Sequence, residues 1–245
     1  MVIIGRHTGK CKVLTEVVKY TLRGWVAPKD ILSRNNSLII LAGGKGRRLG
    51  QEKAWVKLKG QTLLERSVSR LGYLVEQIIV VKAPGQKLPV DHIAGGLEVV
   101  EDIYPGKGPL VGIYSGLQAC TGEGGFVTAC DMPFVNPELA RHIINLSPGY
   151  DVVIPAYGEL LEPLHAYYSV SCLKTIAELV ENENYKIRNL LKSVRVKYVE
   201  KDEICRFDPE RVGFFNINTV EDFEKAIKMA AYPSEHQLIT ETEIV

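Results

Sequence analysis

A glycine pair and a group of basic side chains follow one short apolar run of this 245-residue chain. The run spans 37–42 and is typical of a buried strand, and Gly43 and Gly44 come directly after it. Because glycine has no Cβ, the backbone amides of such a turn can approach a ligand closely. Positive charge is then supplied by Lys45, Arg47, Arg48 and Lys53. This combination favours a chain of phosphates as the ligand.

Two better-known glycine loops do not fit this spacing. The dinucleotide fingerprint G-x-G-x-x-G needs a helix at once behind its last glycine, whereas Gly44, Gly46 and Gly50 have another spacing and charged residues between them. The segment Gly5–Cys11 approaches the P-loop pattern G-x-x-x-x-G-K-[ST], but it is one residue short and ends in a cysteine instead of a hydroxyl. We interpret that segment as a chance match or a decayed loop. A solvated strand-to-helix turn remains the alternative for residues 41–53.

Two carboxylates follow other apolar runs in the same way. Asp131 comes after 125–130, and Asp102 comes after 97–101. Open parallel sheets bind ligands beyond the carboxyl ends of their strands, and a carboxylate there can hold Mg²⁺ together with substrate phosphates. An Asx turn that ends the strand is the alternative for Asp131. Glu101 is adjacent to Asp102, but strand alternation sends their two side chains in different directions.

Short apolar runs alternate with segments of helical periodicity, which predicts an α/β fold, a Rossmann-like three-layer sandwich with a mostly parallel central sheet. The predicted strands are 37–42, 77–82, 97–100, 126–130, 151–155, 196–199 and 213–217. The predicted helices are 62–72, 110–120, 136–146, 169–181 and 219–231, with Asn136-Pro137 and Thr219 as helix starts. One main domain is expected over 37–231, preceded by an extension, 1–36, and followed by a polar tail, 232–245.

The composition excludes several classes of protein. Thirty lysines and arginines nearly balance 29 aspartates and glutamates, so the chain as a whole has no electrostatic reason to bind nucleic acid or an anionic membrane. No apolar run approaches the roughly 20 residues that span a bilayer, and Met1–Gly5 lacks the features of a secretory signal. The five cysteines form no C-x-x-C pair, which favours a reducing compartment. We therefore expect a cytoplasmic protein with neither nucleic acid nor membrane as a partner.

The glycine loop also resembles a known signature. Leu41–Lys53 is similar to the pattern L-A-G-G-x-S-x-R-M-G-x-D-K of the molybdenum cofactor guanylyltransferases, within the MobA-like nucleotidyltransferases. Gly46, Leu49 and Glu52 stand where the family has Ser, Met and Asp, and all three departures are chemically mild. Four further blocks match the same family in the same order along residues 37–231: Glu101-Asp102 with Gly108–Gly112, Ala129–Pro133, Glu162–Ala166, and Phe214–Thr219 with Glu221-Asp222.

The resemblance implies a fold of the nucleotidyltransferase type and an enzyme. The implied reaction transfers GMP from GTP to the terminal phosphate of molybdopterin, the molybdenum cofactor, and releases pyrophosphate to form the guanine dinucleotide cofactor. The implied metal is Mg²⁺, with Mn²⁺ as an alternative, and transient contacts with other molybdenum cofactor proteins are a further expectation. The alternatives on this fold are a molybdopterin cytidylyltransferase, a cobinamide-phosphate or phospholactate guanylyltransferase, and a non-catalytic nucleotide-binding relative.

The matching positions supply the candidate site residues. The resemblance makes Lys53, Arg48 and Asp131 catalytic, and lysine is a compact charge that suits the α- and β-phosphates. It makes Asp131 the metal residue, and Asp102 either shares the metal or contacts the nucleotide. Gly44 is associated in the family with guanine in preference to cytosine. The residues expected to bind nucleotide or acceptor are Leu41, Ala42, Gly43, Gly44, Lys53, Asp102, Asp131, Asn216 and Asn218.

The acceptor side has candidates with open alternatives. Asn216 and Asn218 lie at alternate positions of a predicted strand end, so both amides share one face, in a block near the family's molybdopterin pocket. Alternatively, Asn218 caps the next helix. Lys186 and Arg188 are candidates for binding the pterin phosphate. His165 is a candidate for the pocket wall, with a hydrogen-bonded structural role as its alternative.

Overall fold

The computed structural model describes residues 36–43, 52–90 and 96–231, which form an eight-stranded sheet and a separate two-stranded hairpin. The strands are β1 Asn36–Leu41, β2 Lys57–Leu58, β3 Gln61–Thr62, β4 Gln77–Lys82, β5 Glu98–Glu101, β6 Gly124–Ala129, β7 Val152–Tyr157, β8 Leu160–Leu161, β9 His165–Ser169 and β10 Val196–Val199. The helices are α1 Leu63–Leu71, α2 Pro109–Ala119, α3 Pro137–Asn145, α4 Cys172–Glu181, α5 Ile187–Leu191, α6 Lys201–Ile204 and α7 Val220–Ala231.

The strand order is β10-β7-β9-β6-β1-β4-β5, with β8 paired to β7. β1 is parallel to both β4 and β6, β4 is parallel to β5, and β7 is parallel to β10. β9 lies antiparallel between β6 and β7. The mostly parallel sheet predicted from the sequence is confirmed. Since β6, β1, β4 and β5 are adjacent and parallel, their carboxyl ends lie side by side.

The strand β9 was missing from the sequence prediction. Its side chains from His165 to Tyr168 are buried on both faces, so the alternation that indicates a strand is absent from this short run. Ser169 still belongs to β9, and α4 therefore begins at Cys172, three residues after the predicted start of the helix 169–181.

The predicted strand 213–217 is wrong. A 3₁₀ turn occupies Val212–Phe214, and irregular chain follows it. The nearly buried carboxylate of Asp208 accepts hydrogen bonds from the amides of Val212 at 3.0 Å and Gly213 at 2.7 Å. These bonds curl the chain where a strand would have to begin. The apolar side chains of this segment are buried by tertiary packing, which gives them the composition of a core strand without its pairing.

The sheet has an apolar core on each face. Leu38 and Ile40 of β1 pack in the cluster that contains α1 and α3, and Ile39 between them packs in the cluster with α2 and α4. All three side chains are fully buried, and each contributes roughly 1.5–3 kcal/mol by leaving water. A Cβ at Gly116 of α2 would lie 2.4 Å from Cγ2 of Ile39, so glycine lets this helix approach the sheet closely. The close approach fixes the first turn of α2 at the carboxyl edge of the sheet.

Two of the predicted helix starts are confirmed by their hydrogen bonds. The side chain of Asn136 accepts from the amides of Glu138 and Leu139, at 2.9 and 3.0 Å, at the start of α3. The hydroxyl of Thr219 accepts from the amide of Asp222, whose carboxylate in turn accepts from the amide of Thr219. Such caps satisfy donors that the first turn leaves free. No helix of the described ranges has the length and the apolar character that crossing a membrane requires.

Candidate active site

A cleft of about 500 Å³ opens at the carboxyl ends of β1, β4, β5 and β6. Small-molecule sites commonly have a volume of roughly 300–1,000 Å³. The walls come from the ends of these strands, from the start of α2 and from the segment before α7. The lining residues are Leu41, Gly43, Lys53, Val81, Lys82, Asp102, Gly106, Gly108, Pro109, Gly112, Ala129, Cys130, Asp131, Leu164, Asn216 and Asn218.

Lys53 joins two other candidate residues in the cleft. It lies in the 3₁₀ turn Lys53–Trp55, and its Nζ donates to the carboxylate of Asp131 after β6. The same Nζ donates to Oδ1 of Asn218 at 2.7 Å. These partners lie 78 and 165 residues further along the chain, so only the tertiary fold brings the three together. The side chains of Lys53 and Asp131 are 13% and 14% exposed, which leaves both within reach of a ligand in the cleft.

The two carboxylates of the cleft differ in their partners. Oδ2 of Asp131 accepts from Lys53, whereas its Oδ1 is buried and has no hydrogen-bond partner among the described residues. Oδ1 of Asp102 accepts from the amide of Tyr104 at 3.1 Å and lies 3.5 Å from the hydroxyl of Ser115. Partial burial raises the pKa of the Asp102 carboxyl above its usual value. A cation beside Asp102 would offset that burial.

The neighbour of Asp102 points elsewhere, as the alternation of β5 predicts. Glu101 accepts from Nζ of Lys82 at 2.7 Å and from the amide of Gly85 at 3.3 Å. The hydrogen bond from Lys82 is the main reason that the pKa of Glu101 is lowered. Lys82, which also lines the cleft, is therefore paired with a carboxylate.

A magnesium ion fits these carboxylates. The buried Oδ1 of Asp131 is an unpaired oxygen ligand, and Asp102 borders the same cleft. Mg²⁺ usually binds one or two protein carboxylates plus substrate phosphates, and it keeps waters for the rest. Within the described ranges, no group of three or more His, Cys, Asp or Glu side chains could hold a metal alone. The donor set therefore suits a metal that is bound jointly with a phosphorylated ligand.

We call Leu41–Gly43, at the end of β1, the nucleoside segment, because the resemblance predicts that it binds the nucleotide. Two of its residues line the cleft and one lies beneath it. Leu41 and Gly43 line the cleft, whereas the side chain of Ala42 is fully buried. A Cβ at Gly43 would meet the amide nitrogen of Ala83 at 3.5 Å, an ordinary contact. The described part of the fold therefore does not require glycine at this position, and the absence of a side chain would let a ligand approach the backbone closely.

The loop after β4 contacts the chain both before and after the glycine-rich segment in sequence. Nε2 of Gln86 donates to the carbonyl of Ala42 at 3.0 Å, and its Oε1 accepts from the amide of Ala83 at 3.0 Å. Nε1 of Trp55, just after Lys53, donates to the carbonyl of the next loop residue, Lys87, at 2.9 Å. Sequence reasoning missed Gln86 and Trp55, because no local motif marks contacts that span 44 and 32 residues.

Several sequence assignments lie outside the described residues. Gly44 and Arg48 fall in 44–51, as do Lys45 and Arg47. Their roles remain predictions. The short glycine loop Gly5–Cys11 and the whole of the predicted extension except Asn36 also lie outside the described residues.

The two asparagines line the cleft from an irregular segment and not from a strand. The side chain of Asn216 donates to the carbonyl of Phe214 at 3.0 Å, and that of Asn218 accepts from Lys53. Thr219, not Asn218, caps α7, so the alternative interpretation of Asn218 as the helix cap is wrong. The physical reason is that the side chain of Asn218 turns away from the helix toward the lysine.

His165 does not line the cleft. Its side chain is fully buried, with its ring 5.2 Å from that of Phe126 and 4.8 Å from that of Phe214. Neither ring nitrogen has a hydrogen-bond partner among the described residues, so its alternative role as a hydrogen-bonded structural residue is also wrong. Burial lowers the pKa of His165 to about 3, and the ring is neutral at physiological pH. Because β9 runs antiparallel, its first residue enters the core beside β6.

Lys186 and Arg188 also lie away from the cleft. Lys186 is exposed at the start of α5, and the guanidinium of Arg188 donates to the carbonyl of Glu159 at 3.2 Å. Neither residue is among those that line the cleft. The hypothesis that they bind the acceptor phosphate gains no support from their positions.

A second group of charged side chains packs against aromatic rings near the amino end of β9. We call Tyr157, Glu162, Arg211 and Phe214 the aromatic cluster. The guanidinium of Arg211 lies 4.3 Å from the ring centre of Tyr157 and 5.7 Å from that of Phe214. Its Nη2 donates to Glu162 at 3.3 Å, and burial raises the pKa of Glu162. Arg211 is therefore held by one carboxylate and two aromatic rings, while its buried Nε has no hydrogen-bond partner among the described residues.

Comparison with known proteins identifies relatives of most of the chain. A family model for the MobA-like NTP transferase domain matches residues 38–200. The chain is 38% identical over 195 residues to the probable molybdenum cofactor guanylyltransferase of Pelotomaculum thermopropionicum. That match covers 78% of this chain and 92% of the relative.

Solved structures share the same architecture. The molybdopterin-guanine dinucleotide biosynthesis protein A of Archaeoglobus fulgidus is 32% identical, with a TM-score of 0.69, and the match covers 80% of this chain and 98% of that one. The 4-diphosphocytidyl-2C-methyl-D-erythritol synthase of Anaerococcus prevotii has a TM-score of 0.61 at 16% identity, covering 82% and 100%. The second likeness shows the fold alone. Together these neighbours confirm the nucleotidyltransferase type of fold that the sequence predicted.

Proposed function

Since this chain belongs to the MobA-like NTP transferase family, we propose that it transfers GMP from GTP to the terminal phosphate of molybdopterin. Pyrophosphate is released, and the product is the guanine dinucleotide form of the cofactor. The relatives carry the assignment of the reaction class. The observation in this chain that carries it furthest is the contact of Lys53 with Asp131 and Asn218 at the floor of one cleft.

The reaction requires little acid–base catalysis from the protein. An oxygen of the acceptor phosphate attacks the α-phosphorus of GTP, and the bond from that phosphorus to the bridging oxygen breaks as pyrophosphate leaves. The acceptor phosphate is already an anion at neutral pH, so no general base is needed. The site must instead align two anionic groups and neutralise the charge that develops between them. A half-buried lysine that lines a cleft is suited to that task.

The charged residues of the cleft divide this work. Lys53 contacts the α- and β-phosphates, where its ammonium stabilises the charge of the transition state. Asp131 holds the metal through its unpaired Oδ1, and Asp102 shares it or contacts the nucleotide. The metal is Mg²⁺, with Mn²⁺ as the alternative, and when bound it supplies Lewis-acid charge to the phosphate oxygens. Arg48 completes the catalytic set by its position in the family pattern.

The base is guanine in this proposal. Leu41–Gly43 supply the wall on which the nucleoside lies, and Gly44 is the position that favours guanine over cytosine. The fold alone does not determine the base specificity, because a structural neighbour of this chain is a diphosphocytidyl synthase. We expect GTP to bind with Mg²⁺ at least about tenfold more tightly than CTP, a ratio that a hydrogen-bonding base pocket readily supplies. Calorimetric titration measures both affinities, and equal values would contradict guanine specificity.

The acceptor side is assigned to Asn216 and Asn218, which line the same cleft as Leu41 and Gly43. The decisive assay incubates the protein with GTP, Mg²⁺ and molybdopterin and measures pyrophosphate together with the dinucleotide product. Cobinamide phosphate and phospholactate serve as competing acceptors, and CTP as the competing donor. Binding of GTP without turnover on any acceptor would favour the non-catalytic alternative.

The setting of the reaction follows from the same proposal. A cytoplasmic location suits the described cysteines, which are all free thiols. Delivery of the acceptor would involve transient contacts with other molybdenum cofactor proteins. Co-purification of tagged protein with its molybdopterin-bearing partners, with and without GTP, tests that expectation.

A further inference from the structure

The ammonium of Lys53 lies beside the carboxylate that the metal would need as a ligand. It bonds to one oxygen of the Asp131 carboxylate, the group proposed to hold the divalent cation, and leaves the other oxygen without a partner. Asn218 holds the same ammonium from a second direction at 2.7 Å. Lys53 is therefore fixed by two partners before any ligand is considered.

Both cations that line the cleft in the described ranges are paired with carboxylates of the protein. Lys53 is paired with Asp131, and Lys82 is paired with Glu101. Asp102 has only an amide and a hydroxyl near its Oδ1. Among the described residues, a triphosphate that entered the cleft would meet two cations, both already bound to carboxylates. Of these two cations, only Lys53 is bonded to Asp131, the carboxylate proposed to hold the metal. Transfer of Lys53 to the phosphates would therefore free that carboxylate, whereas transfer of Lys82 would not.

We propose that Lys53 is an internal counter-cation, which occupies the Asp131 carboxylate in the nucleotide-free site and moves to the phosphates when GTP binds. The move leaves Asp131 available to a divalent cation. Nucleotide binding and metal binding at Asp131 are thereby coupled, and each favours the other. The proposal rests on the proposed function for the identity of the nucleotide, but its first test needs the metal alone.

Electrostatics gives the coupling its direction. A divalent ion at Asp131 and an ammonium bonded to the same carboxylate would repel each other across a few ångströms of a partly buried site, where screening is weak. Even at the unpaired Oδ1, a metal is therefore bound weakly without nucleotide unless Lys53 is displaced from Asp131 and Asn218. When a triphosphate accepts the ammonium, that displacement no longer opposes the metal. The linkage is reciprocal for the two binding free energies.

The first experiment titrates nucleotide-free protein with Mn²⁺ and follows free Mn²⁺ by electron paramagnetic resonance. Lys53→Met removes the competing ammonium and keeps most of the side-chain volume. We expect it to bind Mn²⁺ at least about tenfold more tightly than the wild type, since a paired cation has been removed from the ligand. Lys57→Met is the matched control, because Lys57 lies four residues away and is exposed on β2. This control should stay within about twofold of the wild type.

Either of two results would overturn the proposal. One is that Lys53→Met binds Mn²⁺ no more tightly than the wild type. The other is that Lys57→Met gains as much as Lys53→Met, which would show a general effect of net charge. Failure of the pterin assay would leave this titration unaffected, so an error in the proposed reaction and an error in the counter-cation can be told apart.

A second experiment avoids variants that leave Asp131 charged and unpaired. It measures GTP binding in EDTA for Asp131→Asn and Asp102→Asn, each of which removes one negative charge from the same cleft. Only Asp131→Asn also frees Lys53 for the phosphates. We expect Asp131→Asn to gain at least about threefold more affinity for metal-free GTP than Asp102→Asn does. Equal gains, or a larger gain in Asp102→Asn, would contradict the exchange of partners.

Discussion

In the cleft, Lys53 and Asp131 form an ion pair that borders an open volume, whereas in the aromatic cluster Arg211 forms its ion pair with Glu162 against two rings. Both pairs lie near the same edge of the sheet. The difference comes from strand direction. β1, β4, β5 and β6 all end at this edge, and the residues after their ends line the cleft, whereas β9 begins there and carries His165 into the core.

This comparison separates charges that can change partners from charges that hold the fold. A paired charge beside an open cleft can exchange its partner for a ligand without unpacking any side chain. A charge stacked between aromatic rings cannot leave without exposing them. We therefore expect substitutions in the cleft to alter turnover at nearly constant stability, and substitutions near the aromatic cluster to alter stability at nearly constant turnover.

The largest effect is expected for Asp131→Asn. The amide keeps the shape of the side chain but loses the charge that holds the metal, and the loss of one such contact typically slows a reaction by about 10²–10³-fold. The rate of guanylyl transfer at saturating Mg²⁺ measures it. Asp208→Asn, the same change in the buried turn before Phe214, is the control and should lower the melting temperature while retaining more than about a tenth of the rate. A near-normal rate in Asp131→Asn would contradict the metal assignment.

The pH dependence of stability should change most in His165→Phe. The pKa of buried His165 is about 3 and lies below its value of about 6.5 in the unfolded chain, so the folded state binds fewer protons between these values. Stability at this site is therefore lost as the pH falls through that window. Between pH 7 and pH 5, the free energy of unfolding of His165→Phe should drop by about 2 kcal/mol less than that of the wild type does. Urea unfolding at both pH values measures it, and an unchanged dependence would place the ring in water.

A smaller effect is expected for Gln86→Leu, which removes the hydrogen bond to the carbonyl of Ala42. Loss of one such bond is worth about 0.5–1.5 kcal/mol, so the affinity for GTP should fall about twofold to tenfold. Gln118→Leu on the exposed face of α2 is the matched control. If both variants bind GTP as the wild type does, the loop after β4 does not position the nucleoside segment.

The smallest effect is expected from deletion of residues 1–35. We expect the extension to pack on the main domain or on a partner subunit and to bind no nucleotide. The cut leaves β1 whole because this strand begins at Asn36. The affinity for GTP should stay within about threefold, a change of under ~1 kcal/mol. The stoichiometry of GTP and ATP binding is measured in the same titration. A second nucleotide site that disappears with the deletion would revive the P-loop interpretation of Gly5–Cys11.

The sequence alone determined the architecture and most of the cleft. Parallel strands that end side by side bring Gly43, Asp102 and Asp131 to one edge, and each of them follows an apolar run that is readable as a strand. The ordered blocks then identified the family, because five matched spacings are specific where one glycine loop is not. Local periodicity and chain order carry this information, so no tertiary contact was needed to obtain it.

Tertiary structure alone decided how the charges are partnered. Lys53 meets Asn218 across 165 residues, Gln86 meets Ala42 across 44, and neither contact leaves a local pattern. The same holds for the burial of His165 and for the turn that replaces the predicted strand 213–217, where Asp208 accepts two backbone hydrogen bonds. A side chain's type and spacing state what it can bind. Which partner it does bind depends on how distant segments pack, since that packing fixes the distances over which hydrogen bonds and ion pairs act.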